Sequence, residues 1–570
     1  MRLCERNLAF LVYSAFFCLL LSLVSGIGQV NLQIGMNFTG ISYGDANTTS
    51  GALPPDCNGD VGPDYYVEFI NGMFAAYSKT NGELVTPMTD LDFWAGANVG
   101  ISGDYAVTDP RIVYDPGSQR WFASEVDVDV FTQGFDGIFG ANHFLLAVSQ
   151  TSDPTGLWKG FEFDSDPDNG NFADFPTLGV DSQGVYLSGD MYDANADPSD
   201  PNISDLGPCL VAFPKTNLLA NPIITNRTWF GIMDINTRGQ VLQPAICRDG
   251  GTVGSILATG NIGTDTNPHS NLVTFAVQNV AQAPSATLGT ATFIPVDPYQ
   301  LPYNSSAGIP LLTAAQPDGT SDLQANDARF SARVYAVGGV LYAVHNTELN
   351  NRIAIRWYRI RASDGSLLES GTIADTNLDL FFPSIAANSN GVVVIAFNGS
   401  GSGANAFVSC YAMAGLTVHN VTTFRSRVLL KSGVMSYHGD DEVYYGYATS
   451  RWGDYSTLSV DPNDPNRFWS LQMYPSGTTT DSFGDVSEVW STQITELITS
   501  LLPQLSISLT GPNALVSWST SATGFQLQSN TNLNWAPGWS NVVQTPSTNG
   551  NIISVTLPLS GRQQFFRLKQ

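Results

Sequence analysis

Acidic and basic side chains recur where strands of a repeated pattern begin: Asp109 with Arg111, Asp174, Gln243, Asp327 with Arg329, and Arg451 with Asp454 and Tyr455. Arginine grips carboxylates or sulfates through two parallel hydrogen bonds, and paired acids can divide general-acid and general-base work. Drawn into one ring, Asp109, Asp174, Arg451 and Asp454 are candidate catalytic groups. Arg111, Gln243, Arg329 and Tyr455 are candidate binding groups, and the set would suit an acidic sugar or polysaccharide. The competing reading bonds these Asp and Arg side chains to one another and to strand-end amides, tying the structure together. Trp452 and Gly453, inside RWGDY, read equally well as packing and turn residues.

Two short arrays could hold a hard cation. Asp56, Asn58 and Asp60 form D-x-N-x-D, and Asp164, Asp166 and Asp168 repeat that spacing ahead of Gly170. Oxygen ligands of this kind suit calcium. Neither array completes an EF-hand loop, because Val61 and Asn169 stand at the sixth positions and Phe175 where the second would need a terminal Glu. Asp127, Asp129 and Asp136 make a third, looser cluster. A structural calcium is therefore the one cofactor suggested, with solvated acidic turns as the alternative. The histidines (His143, His269, His345, His419 and His438) form no H-E-x-x-H or other close ligand pair. No G-x-S-x-G elbow or P-loop occurs, and nothing signals a nucleotide, flavin or haem.

The elements that must position these groups come from an internal repeat. A short apolar strand, a turn with Asp, Asn or Gly, and a second alternating strand appear in DPRIVYDPGSQRWFASEV from Asp109 and FPTLGVDSQGVYLSGDM from Phe175. They return in QPAICRDGGTVGSILATGN from Gln243, SARVYAVGGVLYAVHN from Ser331, FPSIAANSNGVVVIAFN from Phe382 and YSTLSVDPNDPNRFWSLQMY from Tyr455. A less regular copy begins at Asp56. The alternation of Val393, Ile395 and Phe397 predicts one buried face. Second strands are expected to begin near residues 65, 120, 185, 252, 340, 391 and 467, each followed by a third strand and often a fourth. Units of this size cannot bury both faces alone and must stack. Radial stacking gives a β-propeller of seven blades, with six or eight as the neighbouring counts. Asn31–Ile41 could add the outer strand of the last blade. The longest departures, roughly 85–108, 124–142, 190–208, 280–328 and 425–450, are expected as rim loops, where binding surfaces are built.

Composition agrees with an all-β chain. Of 570 residues only 13% are charged, 43% are hydrophobic, and Gly (54) and Pro (31) are frequent, which argues against disorder and helical bundles. The net charge of −26 disfavours nucleic acid as a partner. Arg2 and Arg6 precede an apolar run from Leu8 to Val24 closed by Ser25 and Gly26, so residues 1–26 read as a secretory signal peptide, with a membrane anchor as the alternative. No later segment is apolar for long enough to span a bilayer. Cys57, Cys209, Cys247 and Cys410 could form one or two disulfides in an oxidising compartment or remain buried thiols. The propeller is expected over residues 27–500, with VWSTQITELI near its end readable as strand or short amphipathic helix. Beyond it, residues 504–570 read as short strands of a small immunoglobulin-like β-sandwich, with Trp518, Phe525, Trp539 and Phe566 as core.

The segments PPDCNGDVGPDYYVEFING, TSDPTGLW at Thr151 and RWGDYSTLSVDPNDPNRFW at Arg451 resemble motifs of exported bacterial β-propeller proteins of undefined activity, across about residues 50–490. The tail, with GFQLQSNTNLNWAPGWSNV and FFRL, resembles a C-terminal sandwich module of exported bacterial proteins. These resemblances imply fold and compartment and bring no reaction with them. Sialidases share the propeller architecture, but the Asp-box S-x-D-x-G-x-T-W is missing, so their catalytic residues do not carry over. The sequence thus leads to an exported, non-catalytic propeller binding a glycan or another surface or extracellular polymer. The alternatives are a carbohydrate-active hydrolase or lyase, and a structural or adhesive surface protein. Expected partners are a polysaccharide or a surface protein.

Overall fold

The computed structural model describes residues 29–44, 52–131, 138–197, 205–260, 268–300, 313–439, 449–480, 484, 486–520, 524–558 and 563–569. Residues 1–26, read as a signal peptide, and Asp136 lie outside these. Among the described residues no helix is long and apolar enough to cross a membrane. The chain is all-β and built from many small sheets. Two compact units divide it. The larger comprises Leu32–Ala414 and Ser426–Thr499, and the smaller contains Gly415–Arg425, Ser500–Gln570 and the described part of Met1–Asn31.

Seven sheets follow one another in chain order. The first runs Asn58–Val61, Tyr65–Ile70, Met73–Ser78, Leu84–Thr89, and the second Tyr105–Asp115, Arg120–Asp129, His143–Ser149, Trp158–Asp164. The third is Phe172–Val180, Gly184–Tyr192, Gly207–Pro214, Thr228–Ile232. In the fourth, Gln240–Pro244 pairs with Ser255–Thr259, then His269–Gln278 carries both Thr287–Leu288 and Thr292–Tyr299. Just past Pro244 the chain continues into Ile246–Cys247, which lies parallel to Tyr335–Val337 of the fifth sheet. Val340–Glu348, Ile353–Arg361 and Leu367–Ile373 complete the fifth, and Asp379–Ala387, Val392–Ser400 and Ser409–Val418 form the centre of the sixth. Thr457–Val460, Arg467–Thr480 and Val486–Leu502 make the seventh, and Gln29–Ser42 adds its outer strand. VWSTQITELI is therefore strand, and the N-terminal strand joins the last sheet as expected. Within the larger unit each first strand lies against the first strand of the next sheet, and the seventh returns to the first.

The expected second-strand starts fall within about three residues of those observed, at Tyr65, Arg120, Gly184, Ser255, Val340, Val392 and Arg467. Alternation misled in one respect. Val392–Ser400 is buried throughout, not on one face only. Neighbouring sheets cover both sides of such central strands, which then read as continuous apolar runs. Between the first and second sheets, Phe69, Phe74, Ile112, Trp121 and Leu145 pack together with Phe93 and Trp94 of the helix Asp90–Gly96. That helix begins where Thr89 Oγ1 accepts from the Asp92 amide at 3.0 Å. Parts of the expected rim loops are also regular: this helix lies in 85–108, Thr292–Tyr299 in 280–328, and Asp322–Gln324 pairs with Thr449–Ser450.

Cys57, Cys209, Cys247 and Cys410 are buried free thiols. The C-terminal segment holds a four-stranded sheet centred on Asn513–Ser519 and Ile552–Pro558, and a three-stranded sheet centred on Gln526–Asn530. Trp518, Val516, Leu527, Val555 and Leu557 form their core with Phe525 and Phe566 against it. Trp539 is not part of that core. Its ring instead lies under the Arg567 guanidinium at 4.4 Å, in a cation–π contact.

The N-terminal strand docks through two glycines that leave room for buried acids. A Cβ on Gly40 would meet Glu68 Oε2 at 2.5 Å and Thr492 Oγ1 at 2.4 Å, and one on Gly35 would meet Glu496 Oε2 at 2.1 Å. Glu68 accepts from the Ile41 amide at 3.2 Å and the Tyr77 hydroxyl at 2.9 Å, and burial pushes its carboxyl up to about 7. Gly40→Val should therefore displace the closing strand and cost about 1–3 kcal/mol. Urea unfolding would measure it, and proteolysis should nick the N-terminal strand first.

Candidate functional site

First strands carry a repeated irregularity that aims the polar residues. Asp109 (φ 61°), Phe175 (φ 51°), Val241 (φ 53°) and Phe382 (φ 43°) occupy the left-handed region. At the same places the pairing register slips, between Thr108 and Arg111, Asp174 and Thr177, Gln240 and Gln243, and Phe381 and Ser384. Each is a two-residue bulge, and a bulge turns the flanking side chains off the sheet's normal alternation. Three of the four are completed by proline, at Pro110, Pro176 and Pro383, which gives up an amide that the bulge leaves unpaired.

Residues just past the bulges point inward and link neighbouring sheets. Arg111 Nε donates to Pro176 O at 2.5 Å, Thr177 Oγ1 to Leu242 O at 2.7 Å, and Gln243 Nε2 to Phe330 O at 2.6 Å. Ser456 Oγ donates to Phe382 O at 2.6 Å. The expected Gln243 site is thus interior: its bulge is Val241–Leu242, so it corresponds to Arg111 and not to Asp109.

The acids and arginines ahead of the bulges meet one another. Tyr455 Oη donates to Asp109 Oδ2 at 2.5 Å, and the Tyr455 ring lies 3.5 Å under the Arg111 guanidinium. Phe175 packs on Tyr455 with ring centres 4.6 Å apart and carries Arg329 over its face at 4.7 Å. Arg329 grips Asp327 through two bonds of 2.8 Å, and its Nη1 lies 3.8 Å from Asp190. Arg451 bonds Asp454 at 3.1 Å, which also accepts from Asn326 at 3.0 Å. The Asp454 amide donates to Asp56 at 2.9 Å, and Asn71 joins Asp56 to the Asp109 amide, each at 2.8 Å. Seven of the eight candidate residues therefore belong to one polar region, Gln243 being the exception. The region also takes in Asn71, Asn326, Asp190 and Asp205, which sequence reasoning missed.

Crowding and burial make these acids weak. Burial, then the neighbouring Asp109 charge, pushes the Asp174 carboxyl up to about 7. Asp190, its cross-strand partner, has neither oxygen hydrogen-bonded among the described residues. Burial and the Asp205 charge hold it well above the usual carboxylate range. Burial also raises Asp109 despite Arg111 beside it, and raises Asp56 together with the Asp454 charge. Asp174 is half-buried, as are Asp205, Asp327 and Asp454, so a solute could reach it.

The side chains of the two acidic arrays are engaged in hydrogen bonds and ion pairs. Asn58 Oδ1 accepts from the Ile112 amide at 3.0 Å and Asp60 Oδ2 from the Tyr114 amide at 2.8 Å, joining the first sheet to the second. Asp60 also binds Arg248, and Arg333 stands 3.8 Å away. Burial works against its charge, but these guanidiniums outweigh it and hold the carboxyl low. Two cations already occupy the place of a third. Asp166 caps a turn, accepting from the Asp168 amide at 3.1 Å and Asn171 at 2.8 Å, while Asp168 accepts from the Trp229 indole at 2.9 Å. Asp164 is exposed, 3.6 Å from His143 Nε2. Among the described residues no group of three or more His, Cys, Asp or Glu is arranged to hold a metal. Trp452 is core, its ring edge-on to Tyr437 at 5.1 Å.

No protein-family model matches the chain, and no curated protein matches it. Among solved structures it is similar to a protein of unknown function from Dyadobacter fermentans, with 11% identity and a TM-score of 0.35 over 69% of this chain and 95% of that one. A Trypanosoma rangeli sialidase in complex with sialic acid matches at 10% identity and a TM-score of 0.34, over 87% and 86%. A Cellvibrio cellulosa alpha-L-arabinanase matches at 11% and 0.28, over 70% and 99%. Likenesses this distant assign neither fold nor activity.

Two outcomes follow from the electrostatics. Asp60→Asn strands two buried guanidiniums and should cost about 3–5 kcal/mol in urea unfolding. Between the ordinary aspartate value of 3.8 and about 7, folded Asp174 keeps a proton that the unfolded chain has lost. Its contribution to stability therefore falls as pH rises through that window. Asp174→Asn should flatten this part of the stability–pH curve and gain on the wild type above it.

Proposed function

We propose that the seven sheets are the blades of a seven-bladed β-propeller followed by a small immunoglobulin-like sandwich. In this reading the protein is exported and binds a glycan or another extracellular polymer, without catalysis, at one end of the ring. One observation carries it. Second strands end beside the starts of first strands, as in Asp129↔Tyr105, Tyr192↔Phe172, Thr259↔Gln240 and Ser400↔Asp379. The longer connections 130–142, 193–206 and 260–268 consequently leave from the end that holds Asp109, Asp174 and Asp454. Rigid sheets presenting loops around a polar centre are the usual layout of a binding face. Val130 and Phe131 are exposed at that end, and apolar rings beside polar groups suit sugar faces.

Binding is favoured over hydrolysis because the charges are engaged with each other: Arg329 with Asp327, Arg451 with Asp454, and Tyr455 with Asp109. One feature favours the hydrolase reading, namely that Asp174 at about 7 has the proton affinity of a general acid at neutral pH. Passing the purified protein over immobilised polysaccharides, with product analysis, separates the two. The proposal expects retention without released sugars, and weaker retention when Phe131 is changed to Ala. Turnover abolished by Asp174→Asn would establish the enzyme instead.

A further inference from the structure

Below the polar region a small cavity lies among the first strands. Asn58, Arg111, Thr177, Gln243, Ser331, Arg333, Ser456 and Thr457 line it, so six of the seven sheets or their leads contribute. Its volume of about 10 Å³ has room for about one water-sized particle. Two guanidiniums face this space and no acid lines it. Arg111 is 4% exposed and Arg333 8%, so both charges are withdrawn from bulk water.

The unmet hydrogen-bonding capacity here is of one kind. Arg111 Nη2, Arg333 Nη1 and Asn58 Nδ2 are buried with no hydrogen-bond partner among the described residues. The Asn58 amide orientation is fixed, because its oxygen accepts from the Ile112 amide. Its NH₂ must therefore point away from that bond. The bonds Arg111 and Arg333 do make go to neutral oxygens, Pro176 O for the first and Ile112 O and Asn58 Oδ1 for the second. The carboxylate nearest Arg333, Asp60, is 3.8 Å away and shared with Arg248. A buried charge without a counter-charge is costly, and so is each unmet donor. Asp60 answers Arg248 and Arg333 with a single charge, and Asp109, beside Arg111, is held above the usual carboxylate range by burial, so water could satisfy the donors but would leave positive charge uncompensated.

We propose that this cavity is a binding site for one small monovalent anion, chloride under ordinary conditions, held by Arg111 Nη2, Arg333 Nη1 and Asn58 Nδ2. Phosphate and sulfate are excluded by size. The anion offsets the two guanidiniums and completes the polar lining, locking the first strands around a common charge. The site is independent of any glycan bound at the ring's outer end.

Crystals of the full chain soaked in sodium bromide and measured at the bromine absorption edge test the site directly. An anomalous peak is expected between Arg111 and Arg333. In solution, the unfolding temperature should rise saturably by several degrees when sodium gluconate is replaced by sodium chloride at constant ionic strength. Ser331→Asp places a carboxylate at the cavity wall, and should abolish this chloride dependence. The wild-type readings stand even if that variant does not fold. A cavity with water density alone and an unfolding temperature equal in the two salts would overturn the proposal.

Discussion

The larger unit depends on how the free edge of each first strand is satisfied. A first strand pairs on one side with its own sheet, and its other side faces the neighbouring first strands, beyond the reach of a ladder except where Ile246–Cys247 pairs with Tyr335–Val337. Side chains take the place of a ladder there. Asn58 and Asp60 accept the amides of Ile112 and Tyr114, Arg111, Thr177 and Gln243 donate to carbonyls of the next sheet or its lead, and Ser456 to one of the preceding sheet. A made bond of this kind adds only about 0.5–1.5 kcal/mol, but a buried group left unmet costs about 1–3 kcal/mol. The asymmetry makes the inner ring a requirement of closure more than a source of stability.

The same requirement explains the chemistry of the polar region. Bulges with non-glycine residues at positive φ turn Asp109 and Phe175 towards their neighbours, a strained arrangement that surrounding contacts must hold. Once inside, the acids lose hydration and are pushed to weak acidity, while guanidiniums spread over Phe175 and Tyr455. Asp60, fully buried, shows the opposite outcome, because Arg248 and Arg333 stand beside it. Neighbouring charge, not depth, decides which acids keep their protons.

Much of this architecture was legible in the chain. Turn residues such as the Asn390–Gly391 pair, with Gly391 at φ 80°, mark the reversals, so strand positions followed within a few residues. Apart from Gln243, the residues expected at the strand entrances do gather. What each one does was not legible, because partners such as Asn58 and Arg333 lie 275 positions apart. The D-x-N-x-D spacing carried no sign that its oxygens meet backbone amides of the next sheet. Asp190 escaped notice although it stands opposite Asp174, since cross-strand register appears only on folding. Trp539 was expected in the core by residue type alone, and a nearby arginine claimed it.

Hydrogen exchange at the Ile112 and Tyr114 amides tests the central claim most directly. Neither amide is held by its own sheet; both are held by side chains of the preceding one. If those bonds close the ring, the two amides exchange only as slowly as the larger unit unfolds globally. Exchange as fast as in an exposed strand edge, in an otherwise protected protein, would contradict the account.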